Sequence, residues 1–85
     1  MTARELKIAR KVLDYLHGLD GGQADELVIH AEIGGLVVAS VNELTEVLSQ
    51  LNEQRLIRGI MPKLYKRLKW SITDLGESAR LDLAN

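Results

Sequence analysis

The sequence has no cysteine, which excludes disulfide bonds, thiolate nucleophiles and metals held by cysteine. It has no phenylalanine, one tryptophan and two tyrosines, so we expect an aliphatic core and no aromatic surface on which nucleic-acid bases could stack. No apolar run approaches the roughly 18 residues that a membrane-spanning helix needs. The first residues, MTARELK, lack the apolar stretch of a signal peptide. These absences favour a cytoplasmic protein that does not enter a membrane.

Residues suited to catalysis are also scarce. His17 falls at the predicted end of a helix, where a cation complements the helix dipole, and His30 follows Glu26 by one turn, a common surface pair. One histidine and one glutamate are too few ligands for a zinc site. The pair Gly34-Gly35 lacks the Gly-Lys-Ser/Thr sequence of a phosphate-binding loop. The sequence therefore predicts no enzyme, no metal and no cofactor.

The length of 85 residues predicts a single domain that spans residues 1–85. A domain this short buries only roughly 60% of the surface that its unfolded chain exposes, which leaves one small core and no deep substrate cavity. Hydrophobic residues make up 46% and charged residues 27% of the chain, a balance typical of a folded domain.

The net charge of −1 hides a strong segregation of charge along the chain. Residues 19–54 contain seven acids and no lysine or arginine, whereas residues 55–69 contain six basic residues and no acid. A polyanion would be attracted to the second segment and repelled by the first.

The first helix is predicted to begin at a capping box of Thr2 and Glu5 and to end at Gly18 in the left-handed conformation. Its apolar stripe has three- and four-residue steps and consists of Leu6, Ala9, Val12, Leu13 and Leu16. A second face carries Arg4, Lys7 and Lys11. We expect that face to be solvated, with a secondary phosphate contact as the alternative.

A second helix is predicted from about Gln23 to Ile33, after a turn at 19–22. Its inward residues are predicted to be Leu27, Val28 and Ala31, with Ile33 as a further candidate. Residues 36–39 are apolar, and their length fits either a short buried strand or an early start of the next helix.

The third helix is predicted to start at Ser40, which forms a capping box with Glu43, and to end near Gln54. Its stripe is Val41, Leu44, Val47, Leu48 and Leu51.

The rest of the sequence predicts a β-hairpin and a short last helix. One strand covers residues 56–61, a turn with Pro62 follows at 62–64, and the second strand covers 65–72 with alternating apolar and polar residues. Its two faces are predicted as Leu68, Trp70 and Ile72 inward and Arg67, Lys69 and Ser71 outward. Thr73 or Asp74 caps a helix that runs to about Leu83. The inward residues of that helix are predicted as Leu75, Ala79 and Leu83.

Three helices followed by a basic hairpin resemble a winged-helix (winged helix-turn-helix) domain. The segment LSQLNEQRLI at 48–57 is similar to the end of the third helix and the entry to the wing, and WSITDLG at 70–76 is similar to the signature that ends the wing in bacterial regulators. The resemblance implies an α+β fold, mostly α: a three-helix bundle, a two-stranded β-hairpin wing and a short final helix. Two departures are the half-dozen residues that Gly34–Ala39 add to the helix-turn-helix, and Arg55 where many relatives have glycine.

In such domains the third helix enters the major groove of double-stranded DNA. Its outward residues are predicted to be Asn42, Glu43, Thr45, Glu46, Ser49, Gln50 and Glu53. Among them Asn42 and Gln50 suit adenine, and Thr45 or Ser49 suits phosphates or bases. The three glutamates oppose phosphate contact, and no lysine or arginine on this helix offsets them, so an ordinary solvated acidic face is at least as good an interpretation.

The wing has the opposite charge. Its five cations are Arg58, Lys63, Lys66, Arg67 and Lys69. If each neutralised one phosphate, the log–log dependence of affinity on salt would have a slope of roughly −4 to −5. The same charges could instead protect an exposed sheet edge, or pair with the acidic 19–54 segment of a second copy.

Two main hypotheses follow, with RNA binding through the wing as a weaker third option. The first is a small DNA-binding transcription regulator, bacterial or phage, that contacts DNA mainly through the wing and can form a homodimer. The second is a winged-helix module that binds a protein partner through its acidic helices, or self-associates, without binding DNA. One fold hosts many functions, so the two differ only in what the charged faces contact.

The first hypothesis predicts that Lys66→Glu combined with Arg67→Glu abolishes binding to duplex DNA, because two phosphate contacts become repulsive. A gel-shift assay at low salt measures the loss. Retention equal to that of the unmodified protein would contradict binding through the wing.

Overall fold

A computed structural model describes residues 1–63 and 67–83. Along the chain it contains α1 (Ala3–Gly18), β1 (Ala24–Asp25), α2 (Glu26–Ile33), α3 (Val41–Glu53), β2 (Ile57–Ile60), β3 (Lys69–Ile72) and α4 (Asp74–Leu83). The predicted α+β class, mostly helical, is confirmed. None of the helices in these two ranges is long and apolar enough to cross a membrane.

Both predicted capping boxes are present. The Thr2 hydroxyl accepts from the Glu5 backbone N–H at 3.1 Å, and the Ser40 hydroxyl accepts from the Glu43 backbone N–H at 3.1 Å. Each glutamate side chain in turn accepts from the backbone N–H of its capping residue. These reciprocal bonds satisfy donors that the first helical turn leaves open, which explains why local sequence alone located both helix starts.

The end of α1 differs from the prediction. Gly18 is the last helical residue but is not left-handed; the left-handed residues are Asp20 (φ 51°) and Gly21 (φ 84°). The backbone N–H groups of Leu19 and Asp20 extend the last turn by bonding to the carbonyls of Leu16 and His17. The chain therefore reverses two residues later than expected.

The core lies between α1, α2, α3 and one face of the sheet, and it is aliphatic except for Trp70. Its members come from every element before α4: Ile8, Ala9, Val12, Leu13, Leu16, Ala24, Ile29, Ile33, Val37, Leu44, Val47, Leu48, Leu51, Ile57 and Trp70. Burying such side chains is the main favourable term in folding. The predicted stripes of α1 and α3 are largely correct, with Ile8 in place of Leu6, and Val41 exposed.

The prediction for α2 is wrong in its start and, except for Ile33, in its buried face. Residues 24–25 pair with β3 as a short strand, and Asp25 caps the helix by accepting from the Val28 backbone N–H at 2.9 Å. Because the helix begins at Glu26, its buried residues are Ile29 and Ile33, one turn apart. Ala31 and the two other residues predicted inward, Leu27 and Val28, are exposed.

The connection between α2 and α3, residues 34–40, is neither strand nor helix. Val37 reaches the core from it, and two backbone bonds tie it to α2, from the N–H groups of Leu36 and Val37 to the Ile33 carbonyl. The Ala39 carbonyl accepts from His30 Nε2 at 2.7 Å. This connection is therefore fixed in place without regular secondary structure.

The sheet has three strands in the order β1-β3-β2, all antiparallel, where the sequence predicted two. Trp70 in the central strand lies opposite Ala24 on one side and Gly59 on the other. A Cβ at Gly59 would come within 3.0 Å of the tryptophan ring, so glycine lets the ring lie against β2. The two-residue β1 was missed because it forms only by pairing with the distant residues Lys69 and Trp70.

The hairpin strands are shorter than predicted, and their faces are only partly as predicted. Trp70 is buried, but Leu68 is exposed, and Ser71, predicted outward, is buried. Leu64, predicted in the turn, and Tyr65 and Lys66, predicted in the second strand, lie outside the described part of the chain.

Thr73, one of the two residues predicted for this role, caps α4, because its hydroxyl accepts from the Gly76 backbone N–H at 3.0 Å. The same hydroxyl donates to the Arg55 carbonyl at 2.7 Å. Arg55 itself has φ 63°, a left-handed backbone conformation that favours glycine. This conformation explains why many winged-helix relatives have glycine at the position of Arg55. Leu75, predicted inward, is instead exposed, because Gly76 is the residue of the first turn that packs against the hairpin.

Gly76→Ala is expected to lower the free energy of unfolding by about 3 kcal/mol, the upper end for an overpacked site, because the added carbon would lie 2.0 Å from the Leu56 carbonyl oxygen. Gly35→Ala is the control, since a Cβ there meets no atom within 4 Å. Urea unfolding compares the two variants. Equal midpoints would contradict the close packing of Gly76 on Leu56 and on Ile72 of β3.

Candidate nucleic-acid interface

An open groove of about 630 Å³ separates the outer surface of α2 and α3 from the hairpin of β2 and β3. Its lining combines apolar, polar and charged side chains: Glu26, Leu27, Thr45, Leu48, Ser49, Asn52, Met61, Arg67, Leu68 and Trp70. The apolar lining residues come from α2, α3 and the hairpin side, and the polar residues Thr45, Ser49 and Asn52 come from α3. The groove brings together the two elements to which the sequence assigned nucleic-acid contact.

The α3 residues predicted to contact DNA do not all face the same way. Asn42 and Ser49 are exposed, as predicted. Thr45 faces α2, where its hydroxyl donates to the Glu26 carboxylate. Gln50 does not face outward, because its amide donates to Glu5 of α1 at 2.8 Å. Asn42 and Ser49 are therefore the candidates whose side chains are most available to a ligand.

Asn52 lines the groove but was not among the predicted contacts. It lies seven residues after Thr45 and three after Ser49, a spacing that places all three on one side of a helix. This spacing could have identified Asn52 from the sequence. Met61 and Leu68 of the hairpin were also missed as groove residues, because nothing local indicates that the hairpin faces α3.

The three glutamates of α3 also face different directions. Glu46 and Glu53 are exposed on the outer face, where they leave that face acidic. Glu43 instead turns toward α1, and its carboxylate accepts two hydrogen bonds from the Arg4 guanidinium, the one from Nη2 at 3.0 Å. The prediction that Glu43 faces outward is therefore wrong.

The Arg4 guanidinium joins three elements. Besides Glu43 it contacts the Val38 carbonyl at 3.1 Å, so one side chain of α1 holds the start of α3 and the connection before it. Hydrogen bonds from Arg4, followed by the one from the Ser40 backbone N–H, lower the pKa of Glu43 to about 2. The carboxylate is therefore ionised under ordinary conditions and acts as a fixed anchor of α3.

Three described cations of the hairpin are exposed and form no salt bridge within residues 1–63 and 67–83: Arg58, Lys63 and Arg67. Lys69 differs, because its Nζ lies 3.7 Å from the Asp25 carboxylate. Lys66, the fifth predicted cation, lies outside the described residues. The hairpin thus presents at least three charges that are available to an anion.

Asp25 combines two roles at the base of the hairpin. The Val28 backbone N–H that it caps is the main reason why its pKa is lowered, and the charges of Lys69 and Arg67 lower it further. Because Asp25 is the end of β1 and the cap of α2, this carboxylate links the start of α2 to the basic hairpin.

Similar solved structures identify the fold. H. salinarum RosR matches with a TM-score of 0.74 at 20% identity, over 96% of this chain and 69% of RosR. The zinc-responsive MarR family member ZitR of Lactococcus lactis matches with a TM-score of 0.64 at 18% identity, over 99% of this chain and 51% of ZitR. Both are winged-helix proteins. The chain has a winged-helix fold. The sequence itself matches no family model and no curated protein.

In this fold the hairpin of β2 and β3 is the wing, and α2 and α3 are the helix-turn-helix. The turn between them, residues 34–40, is longer than the usual 3–4 residues, as the sequence predicted. The match to RosR nevertheless covers 96% of the chain. The additional residues therefore enlarge the turn without changing the order of helices and wing.

The histidines of this winged-helix domain both have structural partners. His30 Nε2 donates to the Ala39 carbonyl, not to Glu26 as predicted, and His17 Nδ1 donates to Glu77 of α4 at 2.6 Å. In the part of the chain that the structure describes, no three His, Asp or Glu side chains are grouped so that they could hold a metal ion.

Arg4→Ala is expected to raise the pKa of Glu43 from about 2 toward 4.5, with part of the lowering kept by the Ser40 N–H. A lowered carboxylate pKa stabilises the fold above pH 4.5, and this contribution is lost as the pH falls toward 2. The variant should therefore lose less stability over that range than the unmodified protein.

An NMR titration of the Glu43 carboxyl carbon measures the pKa, and thermal unfolding across the same pH range measures stability. Lys7→Ala on the same helix is the control and should leave the Glu43 titration unchanged. An unshifted Glu43 midpoint in Arg4→Ala would contradict the anchoring role of this pair.

Proposed function

We propose that this protein is a DNA-binding transcription regulator that contacts the DNA backbone mainly through its wing. The observation that carries the proposal is the group of exposed wing cations, Arg58, Lys63 and Arg67, none of which forms a salt bridge within the described residues. The likeness to winged-helix transcription regulators supports it. Such a regulator would act in the cytoplasm without catalysing a reaction.

Electrostatics decide which element supplies affinity. Phosphate neutralisation by lysine and arginine provides most of nonspecific DNA binding, and α3 contains neither residue. Its outer face carries Glu46 and Glu53, which repel phosphates at close range. The wing therefore has to supply the attraction, with Lys66 as a further contact proposed from the sequence.

Base reading by α3 is limited in this proposal. Asn42 can pair with adenine and Ser49 can contact bases or phosphates, and both are exposed. Thr45 would first have to release Glu26, and Gln50 would have to release Glu5, so we expect both to contribute less. Lys69 is likewise a weaker contact, because Asp25 competes for its charge.

Arg67→Ala is expected to weaken binding to all duplex sequences by a similar factor and to reduce the log–log salt slope by about 0.9, the effect of one lost phosphate contact. Fluorescence anisotropy with a labelled duplex of mixed sequence, measured over a range of salt concentrations, gives both quantities. Arg10→Ala is the matched control, since Arg10 is an exposed arginine on α1 that forms no salt bridge within the described residues.

Two results would contradict the proposal. One is absence of binding by the unmodified protein at low salt. The other is an equal change of slope in both variants, which would mean that the affinity reflects overall charge rather than the wing.

A protein-binding module is the second candidate, favoured by the exposed apolar residues of the groove. Leu27, Met61 and Leu68 are large apolar side chains with 49%, 55% and 41% exposure, and all three line this groove. A groove that contacts only DNA phosphates needs no such apolar lining. If the protein does not bind duplex DNA, this candidate takes precedence, and Leu27→Ser is the variant with which to test it.

A further inference from the structure

The enlarged turn at 34–40 presents aliphatic side chains to solvent although it is firmly held. Val37 is buried in the core, and the carbonyls of Val38 and Ala39 accept hydrogen bonds from Arg4 and from a histidine of α2. Leu36 is nevertheless 65% exposed and Val38 81% exposed. Because the backbone is fixed on either side of them, these two side chains do not fold inward.

A groove of about 320 Å³ lies between this turn and the first two turns of α1. One wall carries Leu36 and Val38, and the other carries Arg4 and Lys7. Arg4 is already bound to Glu43, so Lys7 supplies the available charge, with Lys11 one turn further along α1. The groove is thus aliphatic on one side and cationic on the other.

The outer face of α4 has the complementary character. At about 100° per residue, the exposed residues of this helix fall within one arc of about 120°, and they are Asp74, Leu75, Ser78, Leu81 and Asp82. The arc therefore combines two carboxylates with two leucines, of which Leu75 is 59% exposed.

The opposite side of α4 is held against α1. His17 donates to Glu77 at 2.6 Å, and Arg80 lies 3.5 Å from Asp14. Because these pairs hold the inner face of α4 on α1, its exposed outer face points away from α1.

We propose that the outer face of α4 in one copy of this chain occupies the groove between α1 and residues 34–40 of a second copy. The leucines of α4 would pack on Leu36 and Val38, and its carboxylates would face Lys7 and Lys11. Each copy carries both halves of the contact, which identifies the occupant as a second copy. The contact uses no wing residue and is independent of DNA binding.

The test is the molar mass in solution, measured by light scattering over a range of protein concentrations without nucleic acid. The unmodified protein is expected to exceed its chain mass of 9.5 kDa as concentration rises, and to do so less at high salt, which screens the ion pairs. Leu36→Asp with Val38→Asp, and separately Asp74→Lys with Asp82→Lys, are each expected to remain at the chain mass.

A mixture of these two double variants decides between specific docking and general loss of association. One variant keeps an intact α4 face and the other keeps an intact groove, so an equimolar mixture is expected to associate although neither variant does so alone. Circular dichroism checks that both are folded, which we expect since all four positions are exposed. Arg67→Ala on the wing is the control and should associate like the unmodified protein.

A protein that stays at 9.5 kDa at every concentration would overturn the proposal. So would association that persists in either double variant, or a mixture that remains monomeric. Because no outcome depends on DNA, failure here leaves the proposed function untouched.

Discussion

The structure depends on strand β3, which pairs with the distant strand β1 on one side and with its hairpin neighbour β2 on the other. Trp70 in this strand lies opposite Ala24, just before α2, and opposite Gly59 in the wing. The tryptophan ring is buried in the core, so the pairing cannot shift by one residue without turning it out to solvent. One strand thereby fixes the position of α2, the wing and the groove between them.

Two glutamates, one on α3 and one on α1, position α3 on α1, whereas the wing presents lysine and arginine side chains to solvent. Glu43 is anchored by Arg4, and Glu5 of α1 accepts from Gln50 of α3. These contacts set the orientation of α3 on α1, since a bidentate arginine–carboxylate pair has a defined geometry. The Glu43 carboxylate is thus paired within the molecule, and Glu46 and Glu53 remain as the acidic part of the outer face.

Sequence reasoning succeeded where structure is determined locally. Capping boxes at Thr2 and Ser40 and the spacing of Leu44, Val47, Leu48 and Leu51 were sufficient to locate α1 and α3. Sequence reasoning failed where residues distant in the sequence determine the local structure. The strand Ala24–Asp25 forms only by pairing with β3. Because of that pairing, α2 starts later than predicted and buries a different face. The basic character of the wing could be predicted from the sequence. The pairing of Lys69 with Asp25 could not, because it depends on a contact between strands that are distant in the sequence.

Trp70 is the chain's only tryptophan, and it occupies both the core and the wall of the groove. Its indole therefore acts as an intrinsic optical probe at one defined point of the molecule. Its emission wavelength reports whether the sheet is intact, and quenching of the folded protein reports occupancy of the cleft, so stability and ligand binding can both be followed without an added label.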